Sequence, residues 1–209
     1  YNIARQRIFD EIADDEEREQ IAEVYHDYYR DNSSEFPDRA SEPGYKDRLV
    51  DSYPFHPEFI DTLYEQWGSM PDFQRTRGVL RFLAKVVSDQ YQEQNDTPLI
   101  QCGQLNMGDE AVRDEVLDYL EEGWDSVISS DIAGDDSKSA QIDRQMGGIY
   151  HSKRVTQSLA ASLFLFSQGG GQQRGATLER LRFGVLQPGM DTPLIADAIS
   201  RCEDTFFYL

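Results

Sequence analysis

The chain is 209 residues long and 39% hydrophobic, enough to bury one sizeable core or two small ones, which excludes disorder throughout. Its net charge of −19 comes from 39 acidic against 20 basic side chains, and only 4 of the latter are Lys. Acid excess with so little Lys is the surface expected of a halophile's protein, because carboxylates stay hydrated in concentrated salt and screening suppresses their repulsion; it also argues against general nucleic-acid binding.

Residues 2–31 read as two helices, with Ile3, Ile8, Phe9 and Ile12 on one stripe and Ile21, Val24, Tyr25, Tyr28 and Tyr29 on the next. Asp14 to Glu17 suit a helix start, where carboxylates meet the positive end of the dipole. Asn32 to Gly44 reads as a Ser- and Pro-rich loop. Pro57 opens a helix to about Gly68 that buries Phe59, Ile60, Leu63, Tyr64 and Trp67. A second, from about Phe73 to Gln92, has a broad apolar face of Val79, Leu80, Phe82, Leu83, Val86 and Val87.

Residues 93–108 form a polar connection with a short extended piece at Pro98 to Gln101, followed by a helix over Asp109 to Gly123. Trp124 to Ala133 continues helical, and Gly134 to Ser137 breaks it before a helix near Ala140 to Met146. The last quarter has a strongly apolar helix from about Arg154 to Gln168, then Gly169-Gly170-Gly171, then helices at about Thr177 to Leu186 and Thr192 to Asp204, and a strand-like Phe206 to Leu209. Three helices and a strand is the order of a winged helix-turn-helix cut off before its wing, and of many other three-helix bundles. The fold class is mainly α.

Charge follows the same division. Residues 1–150 carry 14 basic and 34 acidic side chains, whereas residues 151–209 carry 6 and 5. Cys102 and Cys202 are far apart and there are three His, so neither a zinc motif nor a disulfide framework is expected, and a reducing interior fits. No stretch is long and apolar enough to span a membrane, and residues 1–30 are too charged for a signal peptide; a cytoplasmic chain with no membrane partner is expected. Starting at Tyr1 and ending in the apolar run Phe206-Phe207-Tyr208-Leu209, it reads as a piece of a longer protein.

No Gly-x-x-x-x-Gly-Lys-Ser/Thr loop is present, so the backbone cradle and the Lys that hold phosphates in such ATPases are missing, and no catalytic residue is assigned. Gly169-Gly170-Gly171 with Gly175 is a turn rather than a phosphate loop, since no Lys comes after it. Arg75, Arg77 and Arg81 cluster at the start of a helix, where the dipole prefers anions; a bound phosphate would relieve this, and pairing with neighbouring carboxylates is the alternative. His56, between Phe55 and Pro57, reads as a cap or a packed polar group rather than a base. Paired acids such as Glu121-Glu122 and Asp135-Asp136 read as solvated, and no metal site is assigned. Lys153, Arg154, Arg174, Arg180, Arg182 and Arg201 lie in the near-neutral last quarter. In the winged-helix reading Arg174, Arg180, Arg182 and Arg201 would contact DNA phosphates; otherwise this surface docks on an acidic part of the parent protein.

Tyr53-Pro54-Phe55-His56-Pro57-Glu58, Leu63-Tyr64-Glu65-Gln66-Trp67-Gly68, Phe73 through Arg81, Trp124-Asp125-Ser126-Val127-Ile128, Gly175-Ala176-Thr177-Leu178-Glu179 and Val185-Leu186-Gln187-Pro188-Gly189 together resemble the domain of unknown function number 499. Members of this predicted ATPase family sit in archaeal and bacterial anti-phage gene clusters beside a DNA methylase and a helicase. The resemblance covers the chain from about Tyr45 onward. It implies an AAA+-type ATPase whose Walker motifs lie N-terminal to this chain. Residues 1–108 are then a helical lid-like domain, 109–150 a helical connector and 151–209 a truncated winged-helix-like region. Arg75 and Arg77 would sense nucleotide, with Arg81 a second choice. ATP and Mg2+ would belong to the parent protein and not to this piece. The implied partners are the N-terminal ATPase core of the same polypeptide, DNA, and further copies in a homo-oligomer.

Overall fold

The computed structural model describes residues 7–9, 14–70, 72–95, 97–169 and 176–208; it is helical, with no strand among these residues. Helix α1 (Asp15–Asp31) begins where the acids predict: the Asp14 carboxylate accepts from the Glu17 N–H at 2.9 Å, and Asp15, Glu16 and Glu17 stand at the positive end of the dipole. It buries Ala22, Tyr25, His26 and Tyr29. The segment expected to be a loop is instead two 3-10 turns, Ser33–Glu35 and Asp38–Ser41, leading into α2 (Pro43–Ser52). Pro43 opens α2 because the first turn has no use for its missing N–H.

Helix α3 (Pro57–Asp61) is capped by His56, whose Nδ1 accepts from the Glu58 N–H at 3.2 Å. The expected single helix to Gly68 is not one α-helix: Thr62–Gln66 wind as a π turn and Trp67–Ser69 as a 3-10 turn. A π turn inserts a residue and rotates the side chains downstream of it about the helix axis. Trp67 thereby lands fully buried, its indole N–H donating to the Leu165 carbonyl at 3.2 Å. Helix α4 (Arg75–Gln92) is next, then a connection in which Ile100 bridges Phe55 and Cys102–Gln104 form a 3-10 turn.

Helix α5 (Glu110–Leu117) is capped by Asp109, and α6 (Trp124–Val127) runs into a second π turn at Ile128–Ile132. Ser137 caps α7 (Lys138–Met146), and α8 (Gly148–Lys153) starts after Gly147. Helix α9 (Val155–Ser167) has no cap of its own. The Asp143 carboxylate of α7 supplies one from outside, accepting from the N–H groups of Thr156 at 2.8 Å and Gln157 at 3.1 Å. The chain ends with α10 (Leu178–Val185) and α11 (Pro193–Glu203). Phe206 to Tyr208, expected as a strand, pair with no other strand; the N–H groups of Phe207 and Tyr208 instead donate to Asp131 at 3.1 and 2.8 Å.

Helix α9 is the axis of the core. It buries Val155, Leu159, Ala160, Ala161, Phe164, Leu165 and Phe166, and packs against α7, α10, α11 and the Cys102–Gln104 turn. Side chains from residues 1–108, 109–150 and 151–208 enter one hydrophobic cluster. Polar ties run between them as well. The buried Gln101 amide donates to the carbonyls of Phe183 at 2.8 Å and Leu186 at 2.9 Å, satisfying the end of α10, and the Tyr28 hydroxyl donates to the Met190 carbonyl at 2.6 Å.

His56 sits at the centre of an aromatic group of Tyr29, Tyr45 and Phe183 and is fully buried. With Nδ1 accepting from Glu58, its Nε2–H donates to the Tyr29 hydroxyl at 3.0 Å. Burial first, then Arg39 and Arg48, lower its pKa from 6.5 to about 3. The unfolded chain therefore takes up a proton below about pH 6.5 that the folded one refuses until about 3, so this stabilisation is full above 6.5 and is lost as pH falls. His56→Asn keeps an acceptor for the Glu58 N–H but removes the titration. Urea melts from pH 7.5 to 4 should show its stability deficit shrinking as pH falls, by up to about 1.4 kcal/mol per unit. A deficit that stays constant would contradict this.

Candidate functional site

The head of α4 is an unusual helix start. Gln74 precedes it in the left-handed conformation (φ 49°, ψ 39°), no side chain caps it, and its first turn holds no acid. Phe73 is fully buried and packs edge-on against Trp67 at 6.0 Å and Tyr119 at 4.8 Å, which fixes the entry of the chain. The chain folds back so closely that a Cβ on Gly78 would lie 1.8 Å from the Phe73 carbonyl oxygen. Only glycine fits there.

Arg77 is exposed on this turn, and its guanidinium has no hydrogen bond or ion pair among the described residues. With Asp72, Gln74, Gly78, Arg81, Asp118 and Tyr119 it lines a concavity at the helix head. Arg81, one turn on, is committed. Its Nε donates to Glu115 at 2.6 Å, a second nitrogen donates to Asp118 at 3.1 Å and to the Tyr119 hydroxyl at 2.8 Å, and the guanidinium stacks 5.7 Å from the Tyr119 ring. The side chain of Arg75 lies outside the described residues. An unpaired fork beside uncapped N–H groups is an arrangement that attracts phosphate oxygens.

A second cluster lies where α10 meets α3. Glu58 is 2% exposed and is held between Arg180, which donates from Nε at 2.6 Å, and Arg39 on the other side. Arg180 also donates to the Thr62 hydroxyl at 3.0 Å and stacks 4.0 Å from the Phe166 ring.

The model for the second domain of DUF499 matches residues 1–173. The chain belongs to the DUF499 family. The match closes just after α9, so α10 and α11 lie beyond it although they complete the core around α9 in this DUF499 chain. No curated protein and no solved structure matches the chain.

The arginines expected on a duplex-facing surface are placed differently from one another in the DUF499 chain. Arg180 holds Glu58, and Arg182, itself buried, holds the Glu35 carboxylate at 2.7 Å and its carbonyl at 3.1 Å. Arg201 pairs with Asp197 at 3.0 Å on α11, and Arg174 lies outside the described residues. The charges of Arg180 and Arg182 are thus used inside the fold. Glu58 as the hub was not foreseen, because Pro57-Glu58 reads as an ordinary first turn with an acid near the dipole. Among the described residues no group of three His, Cys, Asp or Glu could hold a metal ion, both cysteines are buried free thiols, and no helix is long and apolar enough to cross a membrane.

Proposed function

We propose that this DUF499 domain is the helical coupling part of an AAA+-like ATPase and reads bound nucleotide through Arg77. The observation that carries the reading is the unpaired Arg77 guanidinium on an uncapped helix head whose shape is held by Gly78 and Phe73. ATP and Mg2+ would sit in a nucleotide-binding core elsewhere in the polypeptide, since this sequence has no P-loop. Arg77 would stabilise charge on the terminal phosphate. Helix α4 is packed on α5 and, through Phe82 and Trp67, on α9, so a displacement of its head would be carried to α10 and α11 as a rigid body. That this ATPase would act in DNA-linked anti-phage defence is part of the same proposal and rests on the family resemblance alone.

Of the three arginines at the head of α4, the reading selects Arg77 over Arg81. In the complete polypeptide, Arg77→Ala should lower ATP turnover well over tenfold with little change in melting temperature. Arg81→Ala should lower stability, through the loss of Glu115 and Asp118, more than turnover. Unchanged turnover in Arg77→Ala would remove the proposed role.

A further inference from the structure

A cavity of about 160 Å3 opens at the far end of α4, where Asp89 lies about 18 Å along the helix from Arg77. Four segments distant in sequence wall it: the end of α4, the Cys102–Gln104 turn, the α8–α9 joint and the end of α10. Its floor is firm. A Cβ on Gly103 would lie 2.8 Å from the Gly184 carbonyl oxygen and 2.8 Å from the Ser158 side chain, so the turn, α9 and α10 are in close contact there. The cavity has room for about five waters at about 30 Å3 each, and it is smaller than the roughly 300–1,000 Å3 of sites for drug-sized ligands.

Opposite charges line this cavity without meeting. Asp89 and Glu93 come from the end of α4, and Lys153 and Arg154 from the α8–α9 joint. Among the described residues none of the four is ion-paired, whereas Arg39, Arg81, Arg113, Arg180 and Arg182 all hold carboxylates. Asp89 is 4% exposed, and its carboxylate accepts from two neutral amides, Asn106 at 2.8 Å and Gln90 at 3.1 Å. Burial raises its pKa above the ordinary value more than those bonds lower it. On the other wall Arg154 donates to the neutral Gln157 Oε1 at 2.9 Å, and Lys153 makes no hydrogen bond among the described residues. Two acids and two cations leave the charged lining without net charge, so it favours neither a lone anion nor a lone cation. A molecule carrying both charges answers both walls. We propose that this cavity binds a short-chain amino acid, its ammonium on Asp89 and its carboxylate on Lys153 and Arg154. The ammonium offsets the cost of burying Asp89 without a cation, and bonds between ionised partners are the stronger kind. The site is separate from the head of α4 and does not depend on nucleotide sensing by Arg77.

Calorimetric titration of the 209-residue chain, in salt at which circular dichroism shows it folded, tests this with the ω-amino acids from glycine to 6-aminohexanoate as probes. Butyrate and butylamine, which carry one charge each, are the controls. Affinity should peak at one chain length, with a Kd below about 1 mM that is about tenfold or more tighter than for either control. Asp89→Asn keeps the size of the side chain without its charge and should weaken the best probe about tenfold or more. Lys153→Gln with Arg154→Gln alters two exposed side chains, so the fold is kept, and should weaken the same probe by a similar factor. Should the buried Asp89→Asn change prevent folding, the surface pair alone decides. No heat from any amino acid at about 10 mM would overturn the proposal, as would affinity unmoved by the surface pair. Butyrate bound as tightly as the best amino acid would make the cavity an anion site, and butylamine bound as tightly would make it a cation site; either result would overturn the proposal too.

Discussion

Replacing Glu58 with Ala is expected to cost about 3–5 kcal/mol, because removing one partner of a buried ion cluster strands the others. The two arginines are not equivalent. The Arg39 side chain is 45% exposed and can turn to water, whereas Arg180 is 19% exposed, stacked on Phe166 and bonded to Thr62. Most of the loss therefore comes from Arg180, and Arg39→Ala should cost well under half as much. For a domain of this size the Glu58 change corresponds to a fall in melting temperature of roughly 6–20 °C. Thermal melts of the three proteins would check the order; a Glu58→Ala loss below about 1 kcal/mol would show that water replaces the carboxylate and that the cluster does not hold α10 to α3.

Gly78→Ala is the second large effect, and its sign is informative. In an ordinary helix interior this change gains about 1 kcal/mol. Here the new Cβ would sit 1.8 Å from the Phe73 carbonyl oxygen, a backbone atom that no side-chain rotation can move away. Either Phe73 leaves its place between Trp67 and Tyr119 or the first turn of α4 opens, and both exceed the usual overpacking cost of about 1–3 kcal/mol. A loss of about 3 kcal/mol or more is expected, with Arg77 displaced along with the turn. Urea denaturation that found the variant as stable as wild type would mean that the fold-back before α4 is not held as described.

Helices with strong apolar periodicity and local caps were legible in the sequence: α4, α9, α10 and α11 lie within a residue or two of their expected spans, and α1 starts at the predicted acids. The pieces that escaped are those whose shape is decided by distant partners. α2 and α8 are short, and nothing in their own spacing announces them. The π turn at Thr62–Gln66 serves Trp67, whose hydrogen-bond partner is Leu165. Phe206 to Tyr208 look like a strand by composition, yet the Phe206 N–H goes back to the Cys202 carbonyl of α11 and those of Phe207 and Tyr208 go to Asp131 in another π turn.

The candidate site divides in the same way. Arg75, Arg77 and Arg81 were legible as a cluster because a helix start with three cations violates the dipole preference. Which of them remains available was not, since Arg81 is claimed by residues 34 to 38 positions away. Arg180 looked like a surface cation until Glu58, 122 residues distant, was placed beside it.

Nucleotide sensing by this domain is best put to the test by a structure of the complete polypeptide with a non-hydrolysable ATP analogue and Mg2+. The Arg77 guanidinium should then lie within about 2.7–3.2 Å of a terminal phosphate oxygen, with Arg81 still on Glu115 and Asp118. Arg77 left in solvent, with the terminal phosphate bound by other cations, would contradict the proposal that this domain senses nucleotide through the head of α4.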